Sequence, residues 1–212
     1  MPTKEKVDYR NAQVINDILV SDDVEAHETL RRANAWSVEQ MVLFAHYIRM
    51  RDRSHRQMQL DVARRMEEKP MASDVEMSMG AYIEHVEPQV RAAVVRLREK
   101  GYATFSSGYY GRDVQEISFL RDDLDGWEFE DDFVEWLAGR GAHVRLFHGD
   151  IYVDLKEQLS EVELKYMWDA IVQNMPDLSR TSPKNETMNA KRFRAAQMNL
   201  RTQEAYKKVH RP

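Results

Sequence analysis

Cysteine is absent from the 212 residues of this chain. That excludes a disulfide scaffold, a thiol nucleophile and Cys-ligated zinc, and it suits a reducing compartment. Glycine and proline are scarce, at 8 and 6 residues, so neither a collagen-like repeat nor a low-complexity chain is possible. No run approaches 18 apolar residues, and no membrane-spanning helix is expected. Met1–Arg10 is charged and lacks an apolar segment, so the expectation is no secretory leader and a cytoplasmic location. Signature motifs are missing too. There is no nucleophile elbow, no glycosidase carboxylate pair and no pair of histidines at i and i+4. The stretch Asp122–Gly126 looks like a calcium loop, but Arg121 would occupy its first ligand position, which an oxygen cage does not allow. Neither a metal nor a cofactor is expected.

What is present is an ordinary globular composition, 42% hydrophobic and 32% charged, with an uneven charge distribution. The net charge is −5. Arg180–Pro212 holds nine Lys or Arg against two Glu, a local +7, which leaves −12 on Met1–Ser179. An acidic body with a basic end can bind an acidic partner or nucleic acid, dock its end on its own body, or simply solvate it.

Three regions follow from the pattern: helices over 1–70, an α+β body over 71–178, and a linker with a basic helix over 179–212. In the first region Val14, Ile15, Ile18 and Leu19 fall at helical spacing. Asp22 with Glu25, then Ser37 with Gln40, have capping-box spacing. The helix opened by Ser37 meets no Gly or Pro before Pro70. Its stripe of Met41, Phe44, Ile48, Met58, Val62 and Met66 is interrupted by Arg51 and His55. A broken seam on so long a helix suits a homodimer contact over 37–69, unless the N-terminal helices with Ile15, Ile18 and Leu30 fold back over it. The Met-rich stretch Met71–Met79 marks the boundary with the body.

The body reads α-β-β-α-β-β-α. A helix opens near Glu87–Pro88 and stops at Gly101. Strands are expected over Tyr102–Ser106 and Val114–Leu120, then a helix with Phe133, Val134, Trp136 and Leu137. A hairpin follows over His143–Phe147 and Ile151–Leu155, and Ser160 with Glu163 caps a last helix bearing Leu164, Trp168, Ile171 and Val172. The fold class is α+β, a small antiparallel sheet of about four strands with helices on one face.

Two sets of residues carry candidate chemistry. Ser106, Ser107, Gly108, Gly111 and Arg112 form a hydroxyl- and glycine-bearing loop between strands that would suit an anion, because its glycines let the backbone approach; the alternative is a plain hairpin with Gly108 and Gly111 at positive φ and its tyrosines packed on the sheet. His148 and Asp150 share the second hairpin turn and are the candidates to move a proton. The basic end offers Lys191, Arg192, Arg194, Arg201, Lys207 and Lys208 for phosphate or partner contacts.

The segment with Pro88, Val90, Gly101, Tyr102, Thr104, Ser107 and Gly108 resembles one in uncharacterised bacterial α+β proteins over about 84–176. That resemblance implies the fold and no activity. Ser106, Ser107, Gly111 and Arg112 are also similar to a serine-rich stretch in the methyltransferases of tRNA wybutosine synthesis, which implies an RNA- or nucleotide-related role. The sequence thus points first to a non-enzymatic binding protein, whose specific version contacts nucleic acid through its basic end. The alternative is an enzyme acting on a phosphate-bearing molecule at the 106–112 loop.

Overall fold

The computed structural model describes residues 7–68, 85–119, 123–124 and 126–180. The Met-rich stretch, the expected contact residue Met66 and the basic segment with Lys191, Arg192, Arg194, Arg201, Lys207 and Lys208 lie outside the described side chains.

Three helices come first: α1 (Ala12–Val20), α2 (Val24–Asn34) and the 31-residue α3 (Val38–Glu68). The Ser37–Gln40 box forms as read: Gln40 N donates to Ser37 Oγ at 3.1 Å, and Ser37 N to Gln40 Oε1 at 2.9 Å. The cap of α2 sits one residue later than its box spacing suggests. Asp23, not Asp22, accepts from Ala26 N at 2.9 Å.

The long helix has two buried faces. Met41, Phe44, Ala45 and Ile48 pack against Ile15, Leu19 and Leu30, so the first half of the stripe is covered within the chain. Tyr47 and Met50 face the other way, into the core of the body. No α3 residue beyond Met50 belongs to either described core. Past it the helix is held by polar contacts. Ser54 Oγ donates to Gln89 Oε1 at 3.0 Å, His55 Nε2 meets Glu87 Oε1 at 2.9 Å, and Arg91 Nη1 meets Asp61 Oδ2 at 2.9 Å. The interruption at His55 is therefore where the helix meets the carboxylate of Glu87.

The body continues with α4 (Arg91–Glu99), β1 (Thr104–Tyr109), β2 (Val114–Phe119), α5 (Asp131–Ala138), β3 (Ala142–Phe147), β4 (Asp150–Leu155) and α6 (Glu161–Asn174), as the α-β-β-α-β-β-α pattern requires. Helix α4 starts later than Pro88 suggests, because Glu87–Val90 form a turn that sends Glu87 and Gln89 inward. The four strands are antiparallel, in the order β1-β2-β4-β3. One face, with Ile117, Ile151, Val153, Leu155 and Val144, packs on Val94, Leu97, Leu137, Leu164, Trp168 and Ile171 of α4, α5 and α6. Each such fully buried side chain contributes roughly 1.5–3 kcal/mol of transfer free energy. The other face is covered by no described helix. Among the described residues, no helix is long and apolar enough to cross a membrane.

Candidate functional site on the open sheet face

Side chains alternate along a strand, so the register fixes what the open face displays. Its central row is Gly108–Glu116–Tyr152–Arg145, one residue from each strand. To one side Ser106 pairs with Ser118 and Phe147 with Asp150, and on the other side Val114, Asp154 and His143 align. Tyr110, just past β1, joins them and is 66% exposed; Phe147 is 56% exposed.

The rings form a chain across the face. Tyr110 meets Tyr152 at 5.4 Å between centroids, Tyr152 meets Phe147 at 6.4 Å, and Phe147 meets His148 at 4.2 Å, all edge-to-face. Carboxylates stand between the rings. Ser106 Oγ reaches Glu116 Oε1 at 3.4 Å, and the Tyr152 hydroxyl lies beside the same carboxylate. Burial, with the Asp150 charge nearby, pushes the Glu116 carboxyl up, against the pull of those hydroxyls. Asp150 Oδ1 accepts from Phe119 N at 2.8 Å. One guanidinium is already bound here: Arg145 lies 4.7 Å from the Tyr152 ring centre, and its Nε is 3.0 Å from Asp154 Oδ2.

The face gathers part of the expected residue set. Ser106, Gly108 and Asp150 lie on it, and His148 sits at its corner with φ +51°, followed by Gly149 at +79° in a two-residue turn. Ser107 pairs with Ile117 on the core side. Gly111 does not take the expected positive φ; a Cβ there would meet only Val114, at 3.9 Å. Arg112 turns away altogether. Its guanidinium carbon lies 4.8 Å from the ring centre of Trp36 and 5.1 Å from that of Phe44, which ties the β1–β2 turn to the helical region. Because β2 and β4 run antiparallel, Arg112 and His148 lie at opposite ends of the sheet, roughly 20 Å apart at 3.3 Å per residue. The set expected for phosphate chemistry is thus split. An open hollow of about 580 Å³ beside β3 is lined by Trp127, Phe129, Arg145 and His148 and by none of Ser106–Arg112.

A second polar cluster escaped the sequence reading. Glu87 is only 5% exposed and lies against β1: a Cβ on Gly108 would stand 2.6 Å from its carboxyl carbon. Gln89 Nε2 donates to it, and His55, half-exposed, bonds its other oxygen. Burial pushes the Glu87 carboxyl up, while His55 and the Tyr109 N–H favour its charged form. The only trace in the sequence is the polar gap at His55. Its partner lies 32 residues away, beyond any local spacing rule. Deeper in, Gln115 Oε1 accepts from Trp168 Nε1 at 2.6 Å. No three His, Asp or Glu side chains gather as a metal would require among the described residues.

Comparison with known proteins finds no matching family model, no matching curated protein and no matching solved structure.

Proposed function

We propose that this chain is an interaction protein whose open sheet face takes an arginine-bearing segment of a cationic partner. The observation that carries this reading is Arg145, stacked on Tyr152 and paired with Asp154. The same face carries further rings and carboxylates: Glu116 pairs with Tyr152, whose ring meets exposed Tyr110, and Phe147 pairs with Asp150. Guanidinium groups suit such a surface because they stack flat on rings and donate forked hydrogen bonds to carboxylates, whereas ammonium groups only supply charge. The −12 carried by Met1–Ser179 steers cations toward the body.

Fluorescence anisotropy with a labelled arginine-rich peptide at about 50 mM salt tests this. The full chain is expected to bind it more tightly than the lysine version, with at least about a fivefold loss in Tyr152→Ala and in Glu116→Gln. Equal binding of both peptides, or variants that bind as the parent does, would overturn it. Removal of residues 181–212 is expected to raise peptide affinity, because the cations there compete for the same acidic body.

A second reading concerns the basic segment itself. Its +7 charge supports nucleic-acid contact through Lys191, Arg192, Arg194, Arg201, Lys207 and Lys208. A gel shift at low salt, abolished by removing residues 181–212, is the expected outcome; no shift with the full chain ends this reading. A homodimer through 37–69 would draw on the distal half of α3, where Leu60 is 64% exposed. Sedimentation equilibrium separates about 50 kDa from the 25.0 kDa monomer.

A further inference from the structure

Large apolar side chains are not exposed at random. Of the eleven exposed among the described residues, three surround one place: Val24 on α2, and Val38 and Val42 on α3. Val24 is 79% exposed, Val38 59% and Val42 48%. Valine gains nothing locally at a solvated helical position, since its branched side chain loses rotamer freedom there. Val24, Val38 and Val42 line a groove of about 530 Å³ between α2 and α3, floored by the buried Met41 and Ala45. On α3, Val38, Val42, Arg49 and Arg53 fall on one side of the helix, a stretch of roughly 22 Å at 1.5 Å per residue.

The charge here runs against the rest of the body. Arg31, Arg49 and Arg53 line the groove, opposed by Asp22 and Glu28. Glu28 is held by two guanidiniums, Arg31 at 2.8 Å and Arg32 at 2.6 Å, which keep its carboxyl down at about 2. Asp22 is fully exposed and stands 3.8 Å from Arg49. Arg53 makes no ion pair among the described residues. The two flanking imidazoles are anchored through Nε2, His27 to Ile18 O and His46 to Leu159 O, and they add no negative charge.

We propose that the α2–α3 groove docks an acidic amphipathic helix of a partner protein, with its apolar face on the valines and its carboxylates on Arg49 and Arg53. An open trough between two helices, apolar along its floor and basic at one end, matches the helix-in-groove mode of recognition. Its openness, with Val24 almost wholly in solvent, suits a helix rather than a lipid chain, which needs enclosure. The site is separate from the sheet face and takes the opposite charge.

The test uses the full chain and a synthetic helix of about four turns, with leucines at i, i+3, i+4 and i+7 and glutamates on its flanks, against the same peptide with lysines. The glutamate peptide is expected to bind at tens of micromolar, and the lysine peptide at least about tenfold more weakly. Val42→Asp and Arg53→Glu, both at solvated positions, are each expected to weaken it at least about fivefold, whereas Tyr152→Ala leaves it unchanged. Equal binding of the two peptides, or none at about 200 µM, overturns the proposal. So does a parent that sediments near twice 25.0 kDa and is split by Val42→Asp, because the occupant is then a second copy.

Discussion

Gly108 shows how one residue decides a site. Its φ of +128° is open to glycine and strained for any L side chain, and a Cβ would stand 2.6 Å from the Glu87 carboxyl carbon. Gly108→Ala is predicted to cost about 1–3 kcal/mol or more, read from urea unfolding. Positive φ at Gly108 was legible from the glycine itself, although β1 runs on to Tyr109, so that Gly108 lies within the strand and not in the loop expected after Ser106. The same inference failed at Gly111, which has room and ordinary φ, and nothing local announced Glu87. A carboxylate before a proline is usually solvated, and its burial depends on His55 and Gln89 meeting it in the folded chain. Its pH signature follows from the raised pKa. The folded state holds the Glu87 proton more tightly than the unfolded one. Its contribution is therefore complete below the unfolded value of about 4.3 and is lost as pH rises through the folded value. Glu87→Gln is predicted to flatten the stability profile across that window, and a profile parallel to the parent's would contradict this.

At the scale of elements, local rules carried far where a cap or a stop was encoded in neighbouring residues. Both bonds of the Ser160–Glu163 box are made, with Ser160 N to Glu163 Oε2 at 2.7 Å and Glu163 N to Ser160 Oγ at 3.3 Å. Ser160→Ala is predicted to cost about 1 kcal/mol by thermal unfolding. Helix α3 exposes the limit of the same reasoning. Its apolar residues read as one interrupted stripe, yet Phe44 faces α1 and α2 while Tyr47 faces the body. Periodicity finds a helix, but it cannot divide one helix between two partners. Phe44→Ala is predicted to lose about 3–5 kcal/mol, and more than any substitution at exposed Val42, which should stay within about 0.5 kcal/mol. Equal losses at the two positions would mean that the α1–α3 packing is not what holds the helical region.

The whole molecule combines an acidic body, an open face of rings and carboxylates, and a valine groove edged with arginine. The fold class was readable because strands, turns and caps leave local marks in the sequence. The face was not, because its rows are made by pairing residues such as Glu116, Tyr152 and Arg145, which register alone brings side by side. Phe147, Tyr110 and Tyr152 each looked like ordinary strand or turn aromatics in the sequence. Only their common side of the sheet makes them a surface. The most direct test is an NMR titration of the labelled full chain with an arginine-rich peptide, following backbone amides. Shifts are predicted to concentrate at Tyr110, Glu116, Ser118, Phe147, Asp150 and Tyr152, all fading as salt rises. Shifts spread over the acidic helices, with the sheet face silent, would contradict it.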